Sequence, residues 1–279
     1  MNEPRLDGRV CVITGAAGGL GAALVKRFKD AGAHIVKVTR SNQADEETFS
    51  RQRLINVAAD LSELNASEHI ANAVRTAFGS VHVVINAAAI QGPVGPFATN
   101  DCDAWEATLR VNLFAPVAIC RALLPLMKEG GKIINLSGGG AATARPNFSA
   151  YATAKAALVR FSETLAEELR SRQIDVNTVA PGVMNTKMLQ TIRAAGAQKA
   201  GSRELEIAGR ASDDSCDRAA ELCLFLASAA SNGITGKLIS AAWDPWRDLP
   251  QHLDDLTKTD IYTLRRIVPK DRSLEWGVD

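Results

Sequence analysis

Between Arg9 and Ile239 the chain alternates short apolar runs, most of them β-branched, with longer stretches whose apolar residues recur at helical spacing. This constrains the fold more than any other feature. A strand buried on both faces reads as an unbroken apolar run, and the helix after it carries the chain back across the sheet. Strands are expected at Val10 to Ile13, His34 to Thr39, Arg53 to Ala58, Val81 to Ile85, Lys132 to Leu136, Asp175 to Val179 and Lys237 to Ile239. Helices are expected at Leu20 to Ala31, Glu63 to Phe78, Cys102 to Lys128, Tyr151 to Arg170 and Asp213 to Ser228. The pattern predicts an α/β fold, a doubly wound parallel sheet of about seven strands in one domain over residues 1–240, with a C-terminal extension over 241–279.

With 279 residues, 46% of them hydrophobic, the chain can bury one good core. Its 32 basic and 31 acidic side chains leave a net charge of +1, without the footprint of a partner to nucleic acid or anionic lipid. A small-molecule partner is expected. The apolar stretch around Leu222 to Ala230 falls well short of the roughly 20 residues of a membrane helix. The polar start Met1-Asn2-Glu3-Pro4-Arg5 is unlike a signal peptide, so no membrane contact and a cytoplasmic location are expected. The five cysteines (Cys11, Cys102, Cys120, Cys216 and Cys223) form no C-x-x-C pair and are expected to be buried as small apolar groups. The four histidines lack metal-site spacing, so no metal is expected.

Thr14-Gly15-Ala16-Ala17-Gly18-Gly19-Leu20-Gly21 stands between an apolar strand and an amphipathic helix, where a glycine-rich turn lets backbone N–H groups approach a pyrophosphate. Gly15 permits the tight turn, Gly19 the close approach and Gly21 the packing of helix on strand. Such turns also occur where nothing binds, so the rest of the chain decides. Tyr151 and Lys155 open a helix whose apolar face is Leu158, Phe161, Leu165 and Leu169, and their spacing puts both on one side. An ammonium near a phenol favours phenolate and draws its pKa down from about 10, which suits proton transfer. A lone Tyr-x-x-x-Lys is also compatible with a solvated lysine.

Together with the spacing T-G-x-x-x-G-x-G, the ordered set Asn86-Ala87-Ala88-Ala89, Asn112, Tyr151-Ala152-Thr153-Ala154-Lys155 and Pro181-Gly182 followed by Thr186 resembles the short-chain dehydrogenase/reductase family, over about Leu6 to Ile239. The resemblance implies a Rossmann-type nicotinamide site. Its contacts would be Gly15, Ala17, Gly18, Gly19, Leu20 and Gly21 in the turn, Asp60 and Leu61 beside the adenine, and Asn86, Ala87 and Ala88 after the fourth strand. Pro181, Gly182, Val183 and Thr186 after the sixth strand, with Tyr151 and Lys155, would complete it. Asp60 also reads as a helix N-cap. Thr39 stands where NAD-preferring relatives carry Asp, and Arg40 suits a 2′-phosphate, so NADP is the expected cofactor and NAD the alternative. Arg40 stacked on adenine fits either.

The implied activity is hydride transfer between a secondary alcohol and a ketone, with Tyr151 as general acid/base, Lys155 as its electrostatic partner and ribose contact, and Asn112 supporting a water relay. The alternative is a catalytically weak relative that binds dinucleotide as a sensor or scaffold. One motif departs from the family. Counting back from Tyr151, its carbonyl-polarising Ser falls on Gly138, and Ser137 comes one residue early. Ser137 is taken as the hydroxyl, with the N–H groups of Gly138 to Gly140 or Ser149 as alternatives.

Gln91-Gly92-Pro93-Val94-Gly95-Pro96 and the segment Met188 to Ser212 are expected as walls of a pocket, the second resembling the family's lid. Arg145, Arg193, Lys199, Arg203 and Arg210 either recognise an acidic substrate or solvate that lid. The helices at Cys102 to Lys128 and Tyr151 to Arg170 match those that join subunits in the family, which implies a homotetramer or homodimer. Trp243, Trp246 and Trp276, three of the four tryptophans, predict an ordered extension packed over the cleft or a neighbouring subunit. Within it, Tyr262 to Val268 reads as a short strand or docking arm.

Overall fold

A computed structural model describes residues 4–41, 53–212 and 214–276, so Asp213, the expected start of the last helix, lies outside the described residues. Seven strands form one parallel sheet: β1 (Val10–Thr14), β2 (His34–Thr39), β3 (Leu54–Ala58), β4 (Val81–Asn86), β5 (Met127–Leu136), β6 (Asp175–Ala180) and β7 (Leu238–Ser240). Their order is β3-β2-β1-β4-β5-β6-β7. The order reverses between β1 and β4, and the crevice at their C-terminal ends is where such sheets take ligands.

Alternate residues of each strand feed two layers. Ile13, Ile85 and Ile134 meet Leu24 and Phe28 of α1 (Leu20–Asp30) and Leu222 and Phe225 of α8 (Ser215–Ala227) on one face. Val12, Val36, Val84 and Ile133 meet Ile70 and Val74 of α2 (Ala66–Phe78), Ile119 and Leu123 of α4 (Ala115–Leu123) and Leu165 of α5 (Ser149–Glu168) on the other. Period two in the strands and period 3.6 in the helices thus serve both cores.

The expected helix from Cys102 to Lys128 is broken. It comprises α3 (Cys102–Leu109), a π turn (Arg110–Phe114), α4 and a 3-10 turn (Leu124–Leu126). Pro125, which has no N–H to donate, ends it, and β5 starts at Met127, before the expected Lys132. Contrary to the sequence expectation, the run Cys102–Leu126 is long and apolar enough to cross a bilayer, with a mean hydropathy of 1.5 and 28% of its most apolar window buried. In this fold α4 packs on α2, and α3 on α5.

Cys11, Cys120 and Cys223 are buried as expected, and burial pushes the Cys11 and Cys120 thiols up to about 12. Cys102 is exposed, at the solvent-facing start of α3. In the C-terminal segment Trp246 is buried, tilted against Phe225 at 5.3 Å between ring centroids, and Leu249 and Leu256 join the same core. Trp243 and Trp276 are 82% and 70% exposed, so one of the three tryptophans is buried within the chain. Tyr262 to Val268 forms no strand, and Tyr262 takes a positive φ of 58°. The segment is pinned where Leu238 N–H donates to the Tyr262 carbonyl (2.8 Å) and Leu264 N–H to the Glu163 carboxylate (2.6 Å).

Candidate active site

The glycine turn joins β1 to α1 beside the end of β4. Gly15 has φ 67°, and a Cβ there would stand 2.7 Å from the Ala88 Cα, so the two loops touch only because the side chain is absent. Thr14, which the sequence reading quoted but did not count among the site residues, fastens them: its Oγ1 accepts from the N–H groups of Ala87 (3.1 Å) and Ala88 (3.2 Å). A Cβ on Gly21 would run into the Gly15 carbonyl oxygen, so α1 closes directly on the turn. Nothing lies within 4 Å of a Cβ on Gly18, and no side chain caps α1, whose Gly21 N–H turns back to the Gly18 carbonyl (3.1 Å). Ala17 is exposed and Leu20 buried. Thr186 meets this end of α1, with its Cγ2 3.0 Å from where a Gly19 Cβ would stand, and Gly182 lies against Ala242. Val183 is half-buried nearby in sequence. The cradle fits a dinucleotide pyrophosphate.

At the end of β2, Thr39 is buried and its hydroxyl donates to the Ser41 carbonyl (2.9 Å), while Arg40 is exposed. Asp60 Oδ1 accepts from Ser62 N (2.9 Å) and Ser62 Oγ (2.7 Å). These bonds, with the charge of Arg40, hold its carboxyl below the usual range. Since α2 begins at Ala66 with Asn65 at its cap, Asp60 is not an N-cap. Leu61 packs on the β3 and α2 side of the core.

Tyr151 and Lys155 occupy the first two turns of α5, both buried. Lys155 Nζ donates to the Leu136 carbonyl at the end of β5 (2.7 Å) and lies 5.7 Å from the Tyr151 ring centroid. Burial lowers the lysine to about 8. The phenol is pushed up by burial, with Arg145 and not Lys155 opposing, contrary to the expected downward pull of the lysine: a dry site penalises the phenolate as it does the ammonium. Asn112, fully buried in the π turn, clamps Ile90 both ways, accepting from its N–H (2.9 Å) and donating to its carbonyl (2.8 Å). Asn86 donates to Asn135 (2.8 Å) and Asn135 to Ser162 (2.8 Å), a buried chain linking β4, β5 and α5.

Gly138 faces the tyrosine: a Cβ there would stand 2.5 Å from Tyr151 Oη. The Ser137 hydroxyl, just past the end of β5, is buried with no hydrogen-bond partner among the described residues. Ser149 accepts from Trp105 Nε1 (3.1 Å).

The segment Met188 to Ser212, of which the sequence reading predicted no helices, folds into α6 (Lys187–Ala200) and α7 (Ser202–Gly209). Ile192 and Ala200 pack on Phe148 with Val94 beside them. The Arg145 guanidinium lies 4.0 Å over the Phe148 ring and pairs with Glu204 of α7 (2.8 Å). Arg193 donates to the Ala208 carbonyl (2.9 Å) and Arg210 pairs with Glu206 (2.6 Å), so these three cations are held inside the chain.

A family model described as enoyl-(acyl carrier protein) reductase matches residues 15–241. An uncharacterized oxidoreductase of Mycobacterium tuberculosis is 34% identical over 243 residues, which cover 84% of this chain and 91% of that protein. The 2,3-dihydroxy-2,3-dihydro-p-cumate dehydrogenase of Pseudomonas putida is 31% identical over 251 residues, 86% of this chain and 95% of that one. Among solved structures, a gluconate 5-dehydrogenase from Burkholderia cenocepacia, in complex with NADP and tartrate, aligns with a TM-score of 0.72 at 27% identity, covering 85% of this chain and 94% of that one. Since the match spans the sheet from the glycine turn to the last strand, the chain belongs to the short-chain dehydrogenase/reductase family.

Proposed function

We propose that this chain is an NADP(H)-linked oxidoreductase that interconverts a secondary alcohol and a ketone. The observation that carries the reading is Lys155, buried one turn from Tyr151, with its ammonium on the Leu136 carbonyl and burial alone shifting its pKa. A buried cation without a carboxylate partner marks a functional site more often than a structural one. A nicotinamide held in this cleft would supply the redox chemistry, as donor of hydride to the ketone carbon in reduction and as acceptor of hydride from the alcohol carbon in oxidation. Tyr151 Oη gives the proton to the carbonyl oxygen in reduction and takes it in oxidation, and Lys155 stabilises the phenolate between. The glycine turn would hold the pyrophosphate, Asp60 and Leu61 the adenine side, and Arg40 the 2′-phosphate, with NAD the alternative. Ala87, Ala88, Pro181, Gly182, Val183 and Thr186 would line the nicotinamide end. Ser137 stays the candidate hydroxyl for polarising the carbonyl. The NADP complex of the gluconate 5-dehydrogenase and the dehydrogenase names of the relatives support the reading.

We read residues 1–240 as the catalytic domain and 241–279 as an extension over the cleft or a neighbouring subunit. The exposed Phe114 and the half-buried Val117 on the apolar α3–α4 run support a homotetramer or homodimer, and with it a soluble, cytoplasmic enzyme. Gly138, at the register of the family's serine, favours the second reading, a weakly catalytic sensor. Tyr151→Phe separates the two. Turnover of ketones with NADPH should vanish, with the NADPH dissociation constant within about threefold of wild type. A variant that keeps most of its kcat overturns Tyr151 as the acid. Wild-type protein that binds NADPH but turns over no ketone establishes the sensor.

A further inference from the structure

Gln91 is 7% exposed, and neither its Oε1 nor its Nε2 has a hydrogen-bond partner among the described residues. A buried amide with both ends unpaired is costly to fold around and calls for an explanation, a functional role or a bound partner among them. Its place is defined. The loop after β4 is anchored at Ile90 by the Asn112 clamp and at Gly95, whose N–H donates to the Asn147 carbonyl (2.9 Å), four residues before Tyr151. Val94 of the same loop touches the α6 cluster. Gln91 therefore lies in a short span tied at one end to the π turn of Asn112 and at the other to the residues just before the helix of the proposed acid.

We infer that Gln91 is a specificity-determining residue that binds a second hydroxyl of the substrate, so that the enzyme acts on diols, polyols and hydroxyketones. The inference rests on the oxidoreductase reading of the Tyr151 site and names its substrate class. An amide presents a donor and an acceptor side by side, and a hydroxyl answers both. A carboxylate only accepts and would leave Oε1 unpaired. The cation beside Tyr151 points the same way: Arg145 is neutralised by Glu204 and does not balance an anionic substrate there. Sites built to bond a substrate hydroxyl discriminate steeply against analogues that lack it.

Butane-2,3-diol and erythritol against butan-2-ol test this, because the four-carbon chains differ only in hydroxyls. With NADP, wild-type kcat/KM should favour the diol or the tetritol by about 100-fold or more. Gln91→Leu should lower that value by about 100-fold while leaving butan-2-ol within about threefold. Gln91→Met, which keeps the length of the side chain, repeats the measurement if Gln91→Leu folds poorly. Erythritol binding by calorimetry, with and without NADP, reads the same contact without turnover and should be lost in either variant. No hydroxyl preference in turnover or binding overturns the inference, as does an equal loss on all three alcohols. Failure of the wild type to bind NADP(H) rejects the proposed function instead, and erythritol binding to the free protein then still decides the role of Gln91.

Discussion

Two buried lysines stand near opposite ends of the stretch where β5 pairs with β6, and their surroundings differ. Lys132, on the rung where β5 meets the first residue of β6, pairs with Asp175 (2.6 Å) and donates to Asn232 (2.8 Å). Lys155, beyond the other end, has a carbonyl and no carboxylate. Burial lowers both, but at Lys132 Asp175 pulls upward, whereas nothing opposes burial at Lys155. The same side chain is therefore part of the scaffold at one end and, on the proposed mechanism, a charge held ready for chemistry at the other. Folding favours the first and tolerates the second.

The comparison breaks most sharply on substitution. Lys155→Met should lower ketone reduction on the order of 10⁴-fold with the fold intact, since the phenolate loses its cation. Wild-type-like turnover would place the site elsewhere. Lys132→Met should leave activity per folded molecule unchanged but cost about 3 to 5 kcal/mol in urea unfolding, because the Asp175 carboxylate stays buried without its cation. A loss under about 1 kcal/mol would make the two lysines equivalent.

Acidity sharpens the contrast further. Below pH 8 folded Lys155 keeps its proton in a dry site while the unfolded chain keeps it in water. With a pKa lowered from 10.5 to about 8, this handicaps the wild type by about 3 kcal/mol. The handicap is complete below pH 8 and fades as pH rises toward 10.5. The stability gained by Lys155→Met over wild type should accordingly shrink between pH 7 and pH 10, and a constant gap would contradict the geometry. The smallest effect concerns cofactor choice: Arg40→Asp should shift the NADP-to-NAD ratio of dissociation constants by about tenfold or more toward NAD. An unchanged ratio removes Arg40 from the phosphate site.

How much of this was legible in the sequence depends on the range of the interaction. The strands fell within about a residue of their expected ends, apart from the early start of β5, because strands buried on both faces are written as continuous apolar runs. The start of β5 was hidden because Lys128 to Gly131 is charged and glycine-rich, and its pairing with Val81 is a bulge. The lid helices were missed because alanines blur the period and Gly196, at φ 66°, kinks α6. Gly15, Tyr151 and Lys155 were picked out by spacing, and Asn112 by the family resemblance alone. The Arg145–Glu204 pair joins residues 59 apart, and the orphaned amide of Gln91 depends on what fails to reach it, so no local pattern encodes either.

The π turn at Arg110–Phe114 has a consequence for how the surrounding segment can change. One extra residue in a helix rotates everything beyond it by about 100°, so α3 and α4 are two amphipathic helices set out of phase and joined end to end. Deleting a single residue between Arg110 and Phe114 would bring the halves back into phase, turn the outward side of one toward the core and unhook Ile90 from Asn112. The segment can therefore drift by substitution but not by length, and insertions or deletions in related chains should avoid these five positions.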